Sequence, residues 1–518
     1  MDGSAPNSHN RRPAPMRAAV TMPPPVKVLI ANRGEIACRV IAACKELGLG
    51  SVAVYSDADA RSRHVWMADE AVRLGPPPSA ESYLRGDLVL QAALATGATL
   101  LHPGYGFLSE NHVFREDCAK VGVRFVGPGA YAMEQMGTKT LARQTMHKAG
   151  VPVVPGSLLP LVDAAEAARL ADEIGYPVML KAAAGGGGKG IRFIAEASDL
   201  PLAFEAAQRE AMAYFKDATI YLEKAIVRPR HIEIQVMADG HGNIVHLFDR
   251  ECSVQRRNQK IIEESPAANL PDATRHQMGA VAVQAARAVD YQGAGTIEFL
   301  VDQDHGFYFM EMNTRLQVEH PVTELVTGTD LVVEQLRVAM GERLSWSQDQ
   351  IVQRGHAIEC RIYAESPARG FLPSPGPLRV YRPPTGPGLR MDDGFCEGDV
   401  VSDHYDAMIG KLNAWAPTRD HAIGRMRAAL QRFEIGGIDH NLAHLLQVLD
   451  CDAFRSGEYD TGIVKTLAPL AELPAADPLA ALLAAVLAQR AGPSSSAPCA
   501  AAEPAWAADA RNFGLRQR

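Results

Sequence analysis

The sequence predicts a multidomain protein of mixed α/β and α+β class, and three observations support that prediction. The chain has 518 residues, which is too many for a single hydrophobic core. Near its start, a strand, a helix and a second strand follow one another in the order of a parallel βαβ unit. Towards its end, short alternating runs between Gly- and Pro-rich segments indicate antiparallel strands combined with helices.

The first module is predicted to cover residues 26–138. VKVLIAN at 26–32 is an apolar run of strand length, IACRVIAACKELG at 36–48 has helical apolar spacing and ends at Gly48, and SVAVYS at 51–56 is a second strand. No G-x-G-x-x-G follows the first strand, which argues against a dinucleotide-binding role.

The tail at residues 1–25 is predicted to be disordered. It has no apolar h-region of a secretory signal, and its prolines and Asp2 argue against the amphipathic helix of a transit peptide. Eight scattered cysteines without a C-x-x-C pair favour a reducing, cytoplasmic location. The net charge of -8 and the lack of a bilayer-length apolar run indicate neither nucleic acid nor a membrane as partner.

FMEMNTRLQVEH, at 309–320, carries polar side chains at every second residue, which is the period of an extended chain. The row consists of Glu311, Asn313, Arg315, Gln317 and Glu319. Upstream, TIEFLVD and FYFMEM flank a short turn, so we expect a hairpin. Pairing Asp302 with Phe307 would set Leu300 opposite Phe309 and Glu298 opposite Glu311.

Two opposed carboxylates repel each other unless a cation lies between them. Glu298, Glu311 and the Asn313 carbonyl form an all-oxygen set that suits Mg²⁺ or Mn²⁺ completed by phosphate oxygens. The alternative is a solvated strand face. Arg315 suits a small planar anion and Glu319 a base for that anion, or the two form a structural salt bridge.

VMLKAAAGGGGKGIRFI does not match the Walker pattern, because its flanks indicate strands and its only Gly-Lys pair precedes a glycine. It is typical of a hairpin whose bare N–H groups close over phosphates, or of a merely flexible hairpin. Lys181 before this loop and Lys139 at the start of a helix are candidate phosphate contacts. The backbone of YLEKAI, at 221–226, could pair with an adenine edge or be an ordinary strand end.

RECSVQRRNQKIIEESP forms a cationic cluster without the alternating aromatic residues that stack on nucleic acid bases, so anion binding in a site fits better. The cluster consists of Arg250, Gln255, Arg256, Arg257 and Lys260. His231 begins an alternating strand, where a lone histidine is more often structural than catalytic. The third module is predicted at 356–467, followed by a helix and linker tail at 468–518.

These motifs together resemble the biotin carboxylase component (alpha chain) of biotin-dependent acyl-CoA carboxylases, in the ATP-grasp superfamily. The resemblance covers 26–467 through IANRGEIACRV, HPGYGFLSEN, KAAAGGGGKG, RPRHIEIQVMADG, ECSVQRRNQKIIEESP, EMNTRLQVEHPVTE, GHAIECRIYAE, FLPSPG and YDAMIGKL. It implies a Rossmann-like preATP-grasp domain at 26–138, an ATP-grasp domain at 139–340 with a mobile glycine-rich lid at about 153–226, and a C-terminal biotin carboxylase domain at 356–467.

The resemblance also implies roles for matching residues. ATP is contacted by Lys139, Lys181, Glu223, Lys224, Ile226, His231 and Gln255, with Gly187 and Gly188 in the closing loop. Two Mg²⁺ or Mn²⁺ ions are held by Glu298, Glu311 and Asn313. Bicarbonate is bound by Lys260, Arg315, Gln317 and Val318, with Glu319 as its base, and Arg361 steadies bicarbonate and the enolate of biotin.

The implied reaction is ATP-dependent carboxylation of biotin through carboxyphosphate, the first half-reaction of an acyl-CoA carboxylase of acetyl-, propionyl- or methylcrotonyl-CoA type. The alternative is the corresponding part of a pyruvate or urea carboxylase. Because no Ala-Met-Lys-Met sequence occurs here, biotin is expected on a carrier protein or domain. The further expected partners are other copies of this chain, in a homo-oligomer, and a carboxyltransferase subunit. Another ATP-grasp ligase, or a regulatory protein without activity, remains a competing hypothesis.

Overall fold

The computed structural model describes residues 26–182 and 190–471. The predicted tail at 1–25, the glycine loop with Gly187 and Gly188, and most of the tail at 468–518 lie outside the described residues.

The first module is a five-stranded parallel sheet with the order β3-β2-β1-β4-β5, which confirms the predicted βαβ unit. Its helix α1 begins two residues before the predicted start and ends two residues before Gly48. The elements are β1 Lys27–Ile30, α1 Gly34–Glu46, β2 Gly50–Ser56, α2 Arg63–Met67, β3 Glu70–Gly75, α3 Gly86–Thr96, β4 Leu100–His102, α4 His112–Lys120, β5 Arg124–Phe125 and α5 Ala130–Gly137.

A smaller unit with its own core follows. Phe204 packs there with Leu180 and Leu222 in a buried cluster, so this unit is stabilised separately from the large sheet. The strands predicted on either side of the glycine loop are confirmed as an antiparallel pair, β6 with β7. The elements of this unit are α7 Ala164–Ile174, β6 Val178–Ala182, β7 Ile191–Ile194, α8 Leu200–Phe215 and β8 Ile220–Lys224. The preceding helix, α6 Lys139–Lys148, packs through Ala142 and Met146 into the core of the large sheet instead.

The remaining described chain builds a large antiparallel sheet and the elements around it. The elements are β9 Arg230–Ala238, β10 Ile244–Arg256, β11 Gln259–Ser265, α9 Asp272–Ala288, β12 Gly293–Val301, β13 Phe307–Asn313, α10 His320–Thr327, α11 Leu331–Met340, β14 His356–Tyr363, β15 Glu365–Ser366, β16 Leu372–Pro373, β17 Gly376–Pro377, β18 Val380–Arg382, β19 Leu389–Asp393, β20 Val400–Val401, β21 Met408–Ala416, α12 Arg419–Arg432, β22 Glu434–Gly436, α13 Leu442–Asp450 and α14 Asp452–Ser456.

The large sheet has eight strands in the order β13-β12-β9-β10-β11-β14-β21-β19. Strand β14 is the predicted HAIECRIYAE strand, and it pairs antiparallel with β11, so one sheet runs from the middle region into the C-terminal region. This continuity brings the side chains of β12, β11 and β14 to one face. No helix in the part of the chain that the structure describes is long and apolar enough to cross a membrane.

The predicted pairing of Glu298 with Glu311 is confirmed, but the rest of the predicted register is wrong. Val301, not Asp302, pairs with Phe307, and Leu300 pairs with Tyr308. A bulge that leaves Met310 unpaired then shifts the register and brings Glu298 opposite Glu311.

The prediction of one extended segment over 309–320 is also wrong beyond Asn313, where β13 ends. β13 is an edge strand of the sheet, so no second neighbour holds its continuation. The chain turns instead into α10, with Glu319 at its N-cap and Pro321 in its first turn.

Candidate active site

A cavity of about 910 Å³ lies between the smaller unit and the large sheet. It is lined by side chains from the predicted motifs together with apolar residues such as Met179, Ile191 and Phe193. The predicted site residues that line it are Lys139, Lys181, Glu223, His231, Gln255, Lys260, Glu298, Glu311, Asn313, Arg315, Gln317, Val318, Glu319 and Arg361.

The ammonium group of Lys260 on β11 is surrounded by three carboxylates. Its Nζ donates to Glu233 Oε2 at 2.6 Å, to Glu298 Oε1 at 2.9 Å and to Glu319 Oε1 at 2.6 Å. Burial opposes the charged form, but the three carboxylates outweigh it and raise the pKa of Lys260 well above its usual value. Lys260 therefore stays positively charged at the centre of the site.

Glu298 on β12 is a second centre of hydrogen bonding. Besides Lys260, its Oε1 accepts from Asn313 Nδ2 at 2.9 Å and from Gln317 Nε2 at 2.8 Å. Burial by itself would raise the pKa of Glu298, but the charges of Lys260 and His231 lower it more. The net pKa of Glu298 therefore lies well below the usual value. The alternative of a solvated strand face is excluded, since Glu298 is 3% exposed and Gln317 is also buried.

His231 on β9 lies against this carboxylate. Its Nε2 is 3.0 Å from Glu298 Oε2, and Gln255 Nε2 is 2.8 Å from its Nδ1. Burial lowers the pKa of His231, but the nearby Glu298 raises it more. His231 is therefore part of the charged network as well as a buried strand residue.

Glu319 is held between two cations at the N-cap of α10. Its Oε1 accepts from Lys260, and its Oε2 accepts from Arg361 Nη2 at 2.8 Å. Burial raises the pKa of Glu319, but Lys260, Arg361 and Arg250 together hold it well below the usual range. Glu319 is thus ionised and fully paired in the free site.

Arg315 does not form the salt bridge with Glu319 that the sequence left open. Its Nε donates to Glu110 Oε2 at 2.9 Å, and its Nη2 donates to Asn313 Oδ1 at 2.8 Å. Glu110 belongs to the first module and also accepts from the Thr314 backbone N–H at 3.1 Å. The first module therefore orients this arginine towards the cavity.

The opposite end of the cavity combines cations with apolar surface. Lys181 on β6 donates to Glu223 on β8, and Arg143 Nη1 lies 3.3 Å from the same carboxylate. Lys139, at the start of α6, has its Nζ 3.3 Å from Glu311 Oε2. Lys139 and Lys181 thus both line this end of the cavity.

Lys224 and Ile226, which were predicted to contact ATP, do not line the cavity. Lys224 Nζ donates instead to the carbonyl oxygens of Gly175 and Tyr176, both at 2.9 Å. Its side chain lies on the outer side of β8, because neighbouring residues of a strand alternate in direction and Glu223 points inward.

The described residues also contain two groups of potential metal ligands that the sequence did not predict. They are His231 with Glu233 and Glu298, and Cys252 with Glu233 and Glu319. Lys260 contacts all three carboxylates of these groups, and Arg250, His231 and Arg361 each pair with one of them, so the groups are explained without a metal ion.

Comparison with known proteins decides the family. Three protein-family models match the chain. They are "Biotin carboxylase, N-terminal domain" at residues 25–133, "Carbamoyl-phosphate synthase L chain, ATP binding domain" at 138–347, and "Biotin carboxylase C-terminal domain" at 359–466. A biotin carboxylase of Nostoc sp. is 51% identical over 441 residues, covering 85% of this chain and 99% of that protein. The chain belongs to the biotin carboxylase family.

Solved structures agree with this assignment. A biotin carboxylase–β-γ-ATP complex from Campylobacter jejuni superposes with a TM-score of 0.80 at 47% identity, covering 85% of this chain and 99% of that one. The biotin carboxylase domain of the Hydrogenobacter thermophilus 2-oxoglutarate carboxylase, a dimer with MgADP, ADP and bicarbonate, gives a TM-score of 0.78 at 47% identity, covering 85% and 97% of the two chains. The sequence-based predictions of the three-part ATP-grasp architecture and of an ATP-dependent biotin carboxylase are confirmed.

Two residues of this biotin carboxylase site make contacts that the sequence did not predict. Arg250 was grouped with the cations predicted to bind an anion in the site, but it is fully buried and donates to Glu233 Oε1 at 2.5 Å and to Gln317 Oε1 at 2.8 Å. Glu233 was missed as a partner of Lys260. The sequence did contain a signal for Glu233. It lies two residues after His231 in an alternating strand, so the two side chains are on the same face and Glu233 could have been predicted to share the site of His231.

Proposed function

We propose that this biotin carboxylase performs the first half-reaction of a biotin-dependent acyl-CoA carboxylase. ATP drives the transfer of a carboxyl group from bicarbonate to biotin on a carrier protein, through carboxyphosphate. The observation that carries the proposal is the chain of contacts from Lys260 through Glu319 to Arg361, at one end of a cavity large enough for a nucleotide.

The nucleotide occupies the end of the cavity that the smaller unit lines, near Lys181 and Phe193. Met179, Phe193 and Leu300 supply apolar surface for a planar base, while Lys181 and Lys139 neutralise phosphate charge. The glycine loop with Gly187 and Gly188, which the resemblance assigns to the phosphates, lies outside the described residues. Lys224, the last residue of β8, and Ile226, two residues beyond it, contribute through their backbone, because the Lys224 side chain is engaged with carbonyl oxygens on the outer side.

Glu298, Glu311 and Asn313 fit Mg²⁺ or Mn²⁺ in their donor chemistry. Glu298 and Glu311 are cross-strand partners on β12 and β13 that line the same cavity, and Asn313 is two residues further along β13. Carboxylate and amide oxygens suit these hard cations. A bound divalent ion would supply neutralisation of phosphate charge. Lys139 lies near Glu311 and supports the same neutralisation from the side chains of the protein.

Bicarbonate binds between Arg315, Gln317 and Lys260, with the Val318 backbone beside it. In the free site Glu319 is a weak base, because two cations saturate its oxygens. An incoming anion shares those cations and adds negative charge, and both effects raise the proton affinity of Glu319. Glu319 then takes the bicarbonate proton when the substrate is in place, so that the deprotonated anion can attack the γ-phosphate.

Arg361 changes partners during the reaction. Its Nη2 is bonded to Glu319 in the free site, and protonation of Glu319 weakens that ion pair. The guanidinium is then available for the negative charge that develops on the ureido oxygen of biotin. A closed lid keeps water from the labile intermediate.

The acceptor is an acyl-CoA in this proposal. The propionyl-CoA carboxylase alpha chain of Ruegeria pomeroyi is 51% identical, and this chain covers 67% of its length. A pyruvate carboxylase component of Methanothermobacter thermautotrophicus is 50% identical, so a pyruvate carboxylase is the alternative. The partners are a biotin carboxyl carrier protein or domain and a carboxyltransferase, and the chain assembles as a homo-oligomer.

The half-reaction is tested by phosphate release from ATP with bicarbonate, measured with and without free biotin. We expect biotin to stimulate release, and equal rates would contradict the proposal. The acceptor is tested by charging a carrier with labelled bicarbonate and offering it to an acyl-CoA carboxyltransferase and to a pyruvate carboxyltransferase. Transfer to pyruvate alone would replace the acyl-CoA proposal by its alternative.

A further inference from the structure

Two buried carboxyl groups lie behind Arg361, on the side away from the cavity. Glu263 on β11 and Glu359 on β14 are directly paired across the two strands. Both are fully buried, and neither lines the cavity. Paired residues of adjacent antiparallel strands have their Cβ atoms about 5 Å apart, so the two carboxyl groups are neighbours.

Arg361 connects this buried pair to the reacting end of the site. Its Nε donates to Glu263 Oε1 at 2.6 Å, and its Nη2 reaches the same oxygen at 2.5 Å. The same Nη2 donates to Glu319 Oε2 at 2.8 Å. The guanidinium is therefore held between one carboxylate in the cavity and one behind it.

The pair has unused hydrogen-bonding capacity. Glu263 Oε2 and both oxygens of Glu359 have no hydrogen-bond partner, and neither has the amide of Asn413, the neighbour of Glu359 on β21. Two adjacent buried carboxylates cannot both be ionised at acceptable cost. A proton on Glu359 removes one charge and gives Glu263 Oε2 or Asn413 Oδ1 a donor.

The charged groups that face the pair are consistent with this distribution. Arg361, Lys260 and Glu319 face Glu263; Lys411, Arg361 and Glu319 face Glu359, and the Tyr105 phenol approaches from the first module. Lys411 is partly engaged elsewhere, donating to the Val318 carbonyl at 2.7 Å and lying 3.2 Å from Glu35 Oε1. Burial raises the pKa of Glu263 to about 7, against the effect of Arg361, and burial raises the pKa of Glu359 well above its usual value.

We propose that Glu263 is a positioning residue for Arg361, and that Glu263 and Glu359 hold a single proton, which resides on Glu359. The inference rests on the proposed function. Arg361 then keeps one counter-ion behind it throughout the reaction. When Glu319 takes a proton and releases its hold, Arg361 remains oriented towards biotin instead of following Glu319 or turning into the cavity.

The test measures phosphate release with bicarbonate, with and without biotin, in Glu263→Gln, Glu263→Asp and Glu359→Gln. We expect Glu263→Gln to lose about tenfold or more of the biotin-stimulated rate, while its nucleotide affinity stays within about twofold of wild type. Glu263→Asp should recover part of the stimulation, because it restores the charge. Glu359→Gln should retain the stimulated rate within about threefold, because a neutral side chain replaces a neutral one.

Glu334→Gln is the control for lost stability. Glu334 is a buried carboxylate that accepts from Ser345, and neither residue lines the cavity, so its loss should lower the unfolding temperature without removing biotin stimulation. Infrared difference spectroscopy provides a second readout. The carbonyl stretch of a protonated carboxyl group should be present in wild type and absent in Glu359→Gln.

Each outcome supports or overturns a defined part of the inference. Wild-type stimulation in Glu263→Gln overturns the positioning role, and a loss in Glu359→Gln as large as in Glu263→Gln overturns the single-proton arrangement. An unchanged infrared band in Glu359→Gln overturns it as well. If wild type itself shows no biotin-stimulated release, the proposed function fails. This failure is seen in wild type alone, whereas failure of the present inference is seen only in the variants, so the two can be distinguished.

Discussion

Lys260 and Glu319 face each other at 2.6 Å in a buried site, where the ammonium group also contacts Glu233 and Glu298. A single positive charge shared among three carboxylates leaves the site with excess negative charge. Arg250 and Arg361 offset that excess from two sides, so that three cations face the three carboxylates. Substrate anions can therefore enter only with additional cations, which Arg315 and a bound divalent ion supply in the proposed function.

Replacing Glu319 by Gln should abolish turnover while leaving nucleotide binding nearly intact. Removal of a general base typically costs about 10²- to 10⁴-fold, and the amide keeps the size of the side chain. The checks are phosphate release and the dissociation constant for ATP. The control for folding is Glu334→Gln. Glu334 is a buried glutamate that accepts a hydrogen bond from the Ser345 backbone N–H. Loss of ATP binding in Glu319→Gln would contradict the role of Glu319 as the base.

Replacing Arg361 by Ala should remove the stimulation of phosphate release by biotin, by about tenfold or more, because the developing negative charge on biotin loses its cation. The biotin-independent rate should fall less. Steady-state assays at varied biotin concentration separate the two rates. Arg369→Ala, which removes an exposed arginine paired with Asp439, is the control. Equal losses in both rates would indicate that Arg361 acts before biotin enters.

Replacing Arg250 by Met should lower the free energy of unfolding by about 3–5 kcal/mol, since Glu233 would keep a buried charge without its arginine partner. Urea denaturation measures the effect. Arg209→Met is the control, because Arg209 is largely exposed and 3.5 Å from Glu205 one helical turn away, where such a pair contributes about 0.5 kcal/mol or less. A change of similar size in both variants would contradict this prediction.

The stability of the protein should decrease in acid through Glu264. Burial raises its pKa, but His356 and Arg419 lower it more, to about 2. His356 Nε2 is 2.6 Å and Arg419 Nε 2.8 Å from its carboxylate. Since the folded-state pKa lies below the unfolded-state value, the stabilisation is complete above pH ~4.5 and is lost as the pH falls towards ~2, by about 3 kcal/mol.

Urea denaturation at several pH values between these limits measures this effect. Glu264→Gln should show a flatter dependence than wild type. Glu116→Gln, an exposed position on α4, should follow the wild-type curve. An acid dependence in Glu264→Gln as steep as in wild type would assign the effect to other groups.

Replacing Glu311 by Gln should raise the Mg²⁺ concentration needed for half-maximal turnover by about tenfold at saturating ATP, because one carboxylate ligand is lost. A chelator should stop wild-type turnover, and added Mg²⁺ should restore it. Asp304→Asn, in the exposed turn between the same two strands, is the control. An unchanged Mg²⁺ requirement in Glu311→Gln would remove Glu311 from the proposed ligand set.

Local patterns in the sequence were sufficient to find most of the site. The hairpin turn and the register counted from it predicted that Glu298 and Glu311 pair, and the motif order predicted the module order that the family comparisons confirm. The pairing was correct for a reason that the sequence did not reveal, because a bulge at Met310 compensates a register that starts one residue away from the predicted one. Bulges depend on neighbouring strands, which local periodicity does not describe.

The amino-acid sequence by itself determined which chemical groups the protein has and the order of its strands and helices, because periodicity and turn residues act over short stretches of chain. Only the tertiary structure decided that Lys260 meets three carboxylates, that Glu110 of another module orients Arg315, and that Lys224 points away from the cavity. The physical reason is that these contacts join segments far apart in the chain, and burial rather than spacing decides which charges must find partners.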